Sequence, residues 1–176
     1  MRVIVCGAGQ VGSNIARYLS RFDTNVTMID IDPTLIAAAT TNLDVRGIVG
    51  HAGHPDVLKS AGAADADLII AVTQVDEINM VACQVAHTLF QVPKKIARVR
   101  QGTYLRPEWR DLFQADHMPI DHIIAPEVEV AESIQRRLAV PGAFEVIPMG
   151  KGQAVFVGVR CLDETPILET PLDHLA

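Results

Sequence analysis

Three glycines and an aspartate near the start of the chain have the residue types and spacing that hold a dinucleotide. Gly7, Gly9 and Gly12 follow a strongly apolar run, and Asp30 ends the next such run. Glycine at these positions permits a tight turn, close approach of the backbone to a pyrophosphate, and close packing of a helix on a strand. The helix N-terminus that follows offers free N–H groups and a positive dipole end to phosphates. The predicted cofactor-binding loop comprises Gly7, Ala8, Gly9, Gln10, Val11 and Gly12.

Two aspartates lie close together after this loop, and we expect different roles for them. Asp30 stands at the predicted carboxyl end of the second strand, where a carboxylate can accept hydrogen bonds from ribose hydroxyls. A carboxylate there would repel a 2′-phosphate, so NAD or NADH is favoured over NADP. The alternative for Asp30 is an ordinary turn aspartate. Asp32 precedes Pro33, and a helix N-cap explains it fully.

Two histidines follow the predicted third strand. His51 and His54 have a spacing compatible with metal binding, but no third ligand lies near them in sequence. A packing role or a place in the adenine pocket is the preferred interpretation. We expect His51 to line the crevice.

Further candidates lie at the ends of the fourth and fifth strands. Thr73 and Gln74 follow the fourth strand, where open α/β sheets bind ligands at the switch in strand order. A Thr73-x-x-Asp76 capping box is a second, compatible explanation for Thr73. Arg98 and Arg100 alternate on the fifth strand, so one of them could reach a phosphate, and a salt bridge to a carboxylate is an equal alternative.

Strand and helix patterns alternate along most of the chain, which predicts an α/β fold with a doubly wound parallel Rossmann sheet in the order 3-2-1-4-5-6. The predicted strands are Arg2–Cys6, Val26–Asp30, Val45–Val49, Leu68–Val72, Lys95–Arg100 and Ile120–Ile124. After Pro141-Gly142 the pattern changes to period two around Gly150-Lys151-Gly152, which predicts a β-hairpin. We therefore assign residues 1–140 to a dinucleotide-binding domain and 141–176 to the start of a second subdomain, with another element expected over Ile167–Leu175.

Composition narrows the functional classes. The chain has 176 residues, 49% of them hydrophobic, and a formal net charge of −6. This charge argues against nucleic acid as a partner, and no apolar run is long enough to cross a bilayer, so direct membrane insertion is not expected. The first residues already form a strand pattern, which leaves no room for a signal peptide. Three widely spaced cysteines fit a reducing cytoplasm.

A catalytic apparatus is not evident in the sequence. A dehydrogenase needs an acid/base group and a substrate pocket, usually from a second domain, and the segment after Gly142 is short. Binding without turnover is therefore the preferred function. The alternative is an NAD-dependent oxidoreductase fragment that lacks its catalytic domain, and a nucleotide-binding scaffold is a third possibility.

Several longer segments resemble the RCK (KTN) domain of the Trk-type potassium-uptake regulatory subunit. They are GAGQVG at 7–12, MIDID at 28–32, GHAGHPDVLKSAGAADAD at 50–67, AVTQVDEINMVACQVA at 71–86, IARVR at 96–100 and PIDHIIAPE at 119–127. The likeness covers nearly the whole chain, and the middle and last segments are more specific than the glycine loop.

The resemblance implies a regulator that binds NAD or NADH, and also ATP or ADP, and couples occupancy to a membrane potassium translocator. Carried over by position, the glycine loop would hold the pyrophosphate and Asp30 the ribose, while Thr73, Gln74 and Arg98 complete the cleft. Glu127 matches a family acid near the ligand or a neighbouring subunit, although a first-turn helix acid explains it too. The location implied is cytoplasmic, on the inner face of the membrane.

The resemblance also implies a homodimer or a larger ring. The apolar face of the helix predicted over Pro126–Leu138 fits such a pairing, and it fits a core helix equally. Trk-type subunits usually carry two such units, each with a complete C-terminal subdomain. By this resemblance, we expect residues 141–176 to be only the start of the first of those subdomains.

Overall fold

The protein divides into two compact units in a computed structural model that describes residues 1–114 and 116–162, without the side chains of Arg110 and Lys151. The first unit spans Met1–Ala125, and the second begins at Pro126. The last predicted helix therefore groups with the hairpin that follows it. The domain assignment with a boundary at residue 140 stays a prediction. The element expected over Ile167–Leu175 lies outside the described residues.

The first unit contains a six-stranded parallel sheet in the order β3-β2-β1-β4-β5-β6, which confirms the predicted topology. Its strands are β1 (Arg2–Cys6), β2 (Asn25–Asp30), β3 (Arg46–Val49), β4 (Leu68–Ala71), β5 (Lys94–Arg98) and β6 (His122–Ile124). The switch in strand order lies at β1, which pairs with β2 on one side and β4 on the other. The crevice between the exits of β1 and β4 is where such sheets bind ligands.

Four helices cover the sheet, and their ends follow local sequence signals. They are α1 (Gln10–Leu19), α2 (Pro33–Asn42), α3 (Pro55–Ser60) and α4 (Asp76–Phe90). Proline occupies the first turn of α2 and of α3, where its missing N–H costs nothing. The chain after α3 turns at Gly62, whose φ is +85°.

Side chains that alternate along the buried strands build a core on each face of the sheet. On one face Ile4, Cys6 and Ile69 pack with Leu58 and Cys83 from α3 and α4. On the other face Val3, Val5, Met28 and Ile70 pack with Ala16 and Ile36 from α1 and α2. Because both faces are covered, the central strands are nearly continuous apolar runs. This rigid sheet fixes the strand exits that form the crevice.

The end of β5 and the segment after it differ from the prediction. β5 ends at Arg98 instead of Arg100, because the N–H groups of Arg100 and Gln101 donate to the Asp76 carboxylate, both at 2.8 Å, instead of extending the strand. The segment after β5 contains 3₁₀ turns over Gly102–Leu105 and Pro107–Phe113. β6 begins at His122, two residues later than expected.

The second unit contains α5 (Pro126–Ala139) and the antiparallel pair β7 (Ala143–Met149) and β8 (Ala154–Val159), which confirms the predicted hairpin. A 3₁₀ turn over Gly150–Gly152 joins the strands. In the described chain none of the residues of α5 is buried, and its apolar residues Ile134 and Leu138 are 54% and 77% exposed. The core-helix alternative for this segment is therefore wrong within the single chain.

In the part of the chain that the structure describes, every helix is too short or too polar to span a bilayer.

Candidate functional site

A cavity of about 330 Å³ opens at the carboxyl ends of β1, β2 and β4. The predicted residues that line it are Gly7, Gly9, Asp30, His51, Thr73 and Gln74. We refer to Gly7–Gly12 with Asp30 as the loop side of this crevice, and to Thr73–Val75 as the β4 side. The remaining predicted residues Ala8, Gln10, Val11, Gly12 and Arg98 contribute in other ways, described below.

Each glycine of the loop side has a different structural role. Gly7 has a φ of +104°, which favours glycine, and its N–H donates to the carbonyl of Ile29 at 2.7 Å. A Cβ at Gly12 would overlap the carbonyl oxygen of Gly7, so the helix can approach the turn only with glycine there. A Cβ at Gly9 would meet nothing within 4 Å. Gly9 therefore leaves open space at the edge of the cavity, where a phosphate could approach the backbone.

Helix α1 starts directly at this open space. Gly9 is its N-cap, and Gln10, Val11 and Gly12 form its first turn. The first N–H groups of a helix have no partner within the helix, and they carry the positive end of its dipole. The Ser13 hydroxyl donates to the Ala8 carbonyl at 2.9 Å and holds the loop against the helix. This arrangement suits an anion.

Asp30 connects the loop to the end of β2. Its Oδ2 accepts the Ala8 N–H at 2.6 Å and its Oδ1 accepts the Asp32 N–H at 2.9 Å. A carboxylate oxygen has more than one acceptor site, so each can still accept a further hydrogen bond. The half-buried carboxylate thus fixes the loop and also faces the cavity.

Asp32 caps helix α2, as the sequence indicates. Its Oδ1 accepts hydrogen bonds from the Thr34 N–H at 2.8 Å and from the Thr34 hydroxyl at 2.7 Å. These hydrogen bonds, the hydroxyl's first, lower the pKa of the Asp32 carboxyl below its ordinary value. Asp32 also lines the cavity, so two carboxylates lie on its β2 edge.

Exposed apolar side chains border the same edge. Ile31 is 69% exposed, and Leu35 and Val75 are also exposed, although all three line the cavity. Large apolar side chains at a cavity rim are suited to cover a flat, weakly polar ring such as a base. The rim therefore combines carboxylate acceptors with an apolar surface.

His51 lines the cavity and stacks on His54, with ring centroids 4.5 Å apart. Its Nδ1 accepts the Gly53 N–H at 3.2 Å. This bond orients the ring at the cavity. Over residues 1–114 and 116–162, His, Cys, Asp and Glu side chains form no group of three or more suited to a metal ion.

The β4 side is fixed by Asn79, a residue that the sequence analysis did not single out. Asn79 is fully buried, and its Oδ1 accepts both the N–H and the hydroxyl of Thr73, at 2.8 and 2.7 Å. The predicted capping box at Thr73 is wrong, because Val75 is the N-cap of α4 and no side chain caps the helix there. A buried polar position in the apolar face of a helix is the signal that could have identified Asn79.

The two arginines at the end of β5 have different surroundings. The Arg98 carbonyl accepts from Asn79 Nδ2 at 2.9 Å, while the buried Nε of Arg98 has no hydrogen-bond partner among the described residues. Arg98 is not among the residues that line the cavity. Arg100 donates to the Gln74 carbonyl and pairs with the buried Asp76 carboxylate at 3.7 Å. The structure thus gives Arg100 the salt bridge that was one of the two alternatives, and it does not bring Arg98 to the cavity.

Glu127 lies in the first turn of α5, in the second unit, where its side chain is exposed. A first-turn carboxylate interacts favourably with the helix dipole. The alternative that Glu127 is simply a first-turn helix acid therefore explains its position without a ligand.

Comparison with known proteins agrees with this geometry. The TrkA-N domain family matches residues 3–126. The Trk system potassium uptake protein TrkA of Azorhizobium caulinodans is 53% identical over 99% of this chain and 38% of its own length. A Trk system potassium uptake protein TrkA homolog of Methanothermobacter thermautotrophicus is 32% identical over 88% of the chain and 68% of its own length. The chain thus spans well under half of the length of the first of these relatives.

Solved structures show the same fold at low sequence identity. The TrkA-N domain of the inner membrane protein ybaL from Escherichia coli superposes with a TM-score of 0.67 at 18% identity, covering 78% of this chain and 96% of its own. The GsuK channel bound to NAD superposes with a TM-score of 0.63 at 14% identity, covering 83% of this chain and 25% of its own. With the sheet order, the glycine loop and the family match in agreement, this chain belongs to the TrkA-N domain family.

Proposed function

We propose that this chain is the nucleotide-sensing part of a regulatory subunit of a potassium-uptake system, and that it binds NAD or NADH in the crevice. The observation that carries the proposal is the Asp30 carboxylate, which is bonded to the glycine loop and borders the same cavity as the open surface at Gly9. This pairs a ribose acceptor with a phosphate-binding helix start, as dinucleotide sites require.

The adenosine half of the ligand would lie on the loop side. Its ribose hydroxyls would donate to Asp30, its phosphates would face Gly9 and the start of α1, and its base would pack against Ile31 and His51. A 2′-phosphate would meet the carboxylates of Asp30 and Asp32, so charge repulsion favours NAD and NADH over NADP. ATP and ADP share the adenosine half and are proposed as further ligands.

The β4 side supports binding without turnover. The residues that border the cavity there are Thr73, Gln74, Val75 and Ile78, which offer a hydroxyl, an amide and apolar surface. A hydride-transfer enzyme needs an acid or base beside the reacting carbonyl. We therefore favour a regulatory protein over an oxidoreductase fragment.

The partner we propose is a membrane potassium translocator, with this chain on its cytoplasmic side. Relatives named as Trk system potassium uptake proteins support this, as does the likeness to a channel bound to NAD. The exposed apolar residues of α5 supply a surface on which a second copy could pair, so we propose a homodimer or a ring.

Ligand-dependent unfolding tests the proposal. NADH at a hundredfold excess over its Kd should stabilise the protein by about 2.7 kcal/mol, while NADPH at the same concentration should do far less. NAD, ATP and ADP are compared in parallel. If none of these nucleotides shifts the unfolding transition, the proposal fails, and sustained substrate-dependent oxidation of NADH would favour an oxidoreductase instead.

A further inference from the structure

The buried amide of Asn79 extends the connection between β4 and β5 beyond the end of their backbone pairing. The last paired residues of these strands are Ala71 and Ala97. Past that point Asn79 Nδ2 donates to the carbonyls of Thr73 and Arg98, at 3.3 and 2.9 Å. The side chain therefore joins the segment after β4 to the last residue of β5, beyond the point where the two strands pair with each other.

All hydrogen-bonding capacity of this amide is used. An amide has two N–H donors and an oxygen with two lone pairs. Oδ1 accepts twice from Thr73, and Nδ2 donates once to Thr73 and once to Arg98. Because Asn79 is fully buried, any loss of these bonds would leave polar groups without water as a replacement. The amide thus holds the Thr73 backbone and hydroxyl in one arrangement.

Of the two segments that Asn79 joins, the one at Thr73 is where the second half of a dinucleotide would lie. Thr73 borders the cavity opposite Asp30, across the glycine loop. An adenosine monophosphate bound at Asp30 and Gly9 needs neither Thr73 nor Arg98. A dinucleotide continues across the switch point and passes the β4 side.

We propose that Asn79 is a positioning residue that selects dinucleotides over adenosine mononucleotides by holding Thr73 and Arg98 in place. This inference rests on the proposed function, since it assigns the two sides of the crevice to the two halves of one ligand. Asn79 acts through Thr73 and Arg98, because its polar atoms already make their hydrogen bonds to these two residues.

The test is the ratio of the Kd values for NADH and AMP in the full chain. Asn79→Asp keeps the size and the two acceptor contacts but replaces the Nδ2 donor with an oxygen, which faces the carbonyls of Thr73 and Arg98. We expect the Kd for NADH to rise at least about tenfold, equivalent to about 1.4 kcal/mol. The Kd for AMP should change by less than about twofold.

The matched control is Cys83→Ala. Cys83 is also fully buried, lies one helical turn further along α4, and contacts the Ile96 carbonyl at 3.7 Å, away from the crevice. The Cys83→Ala substitution should lower the free energy of unfolding without changing the ratio of the Kd values for NADH and AMP. If Asn79→Asp does not fold, Thr73→Val, which removes the hydroxyl bonded to Asn79 Oδ1, should raise the same ratio by a smaller factor.

The outcomes separate the two proposals. An unchanged ratio in a folded Asn79→Asp variant, or an equal change in Cys83→Ala, overturns the role of Asn79 while the wild-type protein still binds NADH. A wild-type protein that binds neither NADH nor AMP overturns the proposed function itself.

Discussion

The loop side of the crevice is shaped by backbone conformation and one carboxylate, whereas the β4 side is shaped by a buried amide from a helix. On the loop side Gly7 and Gly12 act on the turn that they form, and Asp30 accepts the N–H of Ala8, 22 positions earlier in the chain. On the β4 side Asn79 bonds to Thr73 and Arg98, and the contact with Arg98 spans 19 positions in the chain. The comparison predicts that loop-side substitutions affect every nucleotide, while β4-side substitutions affect only ligands that cross the crevice.

Gly12→Ala should have the largest effect, because the added Cβ meets a backbone carbonyl that cannot rotate away. Overpacking commonly costs about 1–3 kcal/mol, and we expect the upper end of that range together with loss of binding of all nucleotides. The midpoint of urea unfolding at unchanged slope measures the loss. A midpoint equal to that of the wild-type protein would show that the loop tolerates a side chain there.

These contrasting architectures explain what the sequence could predict. The glycine spacing and the apolar strand runs are local sequence signals, and Asp30 ends one of those runs, so together they predict the sheet order and the loop side. The sequence could mark Asn79 only as a polar residue on the apolar face of a helix, because its bonding partners depend on how α4 packs against the ends of β4 and β5.

The end of β5 differs from its prediction for a related reason. The apolar and basic alternation continued to Arg100, but the Asp76 carboxylate, which is distant in sequence, captures the N–H groups that a longer strand would need. Side-chain competition for backbone donors is a tertiary effect that periodicity does not record.

Gly9→Ala should separate binding from stability on the loop side. Gly9 has a φ of −66°, which alanine adopts without strain, and its Cβ would enter open space. We therefore expect a free energy of unfolding within about 1 kcal/mol of the wild-type value, because such substitutions chiefly reduce the conformational entropy of the unfolded chain. The new methyl group would occupy the space that a phosphate needs, so titration should show the Kd for both NADH and AMP rising by more than about tenfold.

Gly9→Ala and Gly12→Ala control for each other, since both add one methyl group to the same loop. Equal losses of stability in the two variants would contradict the distinct roles that the structure gives these glycines.

Asp30→Ala should weaken binding of NADH and AMP alike, by about tenfold, because the ribose of the adenosine half loses its acceptor. It also releases the N–H groups of Ala8 and Asp32 from their bonds to the carboxylate, while the strand itself is unaffected. Asp30→Asn keeps an acceptor without the charge, and it should recover part of the affinity and reduce the discrimination against NADPH. Calorimetric titration of each variant measures these effects, and an unchanged affinity in Asp30→Ala would show that the ribose assignment is wrong.

Asp121→Asn should have the smallest effect, and it lies at the opposite end of the sheet from both sides of the crevice. Lys95 is buried at the start of β5, and its ammonium donates to Asp121 Oδ2 at 3.0 Å. Burial opposes ionisation of Asp121, but the hydrogen bonds and charge of Lys95 outweigh it and lower the pKa of the carboxyl. Because the Asp121 side chain is 52% exposed, we expect a loss of about 1 kcal/mol at neutral pH and no change in nucleotide affinity.

The effect of Asp121→Asn on stability should depend on pH, and the lowered pKa of Asp121 fixes its direction. A carboxyl whose pKa is lower in the folded state stabilises the protein above its unfolded pKa of about 4, and this contribution disappears as the pH falls through the folded value. The difference in unfolding free energy between wild type and Asp121→Asn should therefore shrink as the pH is lowered from neutral to about 3. Asp65→Asn is the matched control, because Asp65 pairs with Arg2 at 3.4 Å on an exposed surface and should contribute little at any pH. A weaker affinity for NADH in Asp121→Asn would show that the crevice depends on the stability of the whole sheet, and the distinction between its two sides would then need a different explanation.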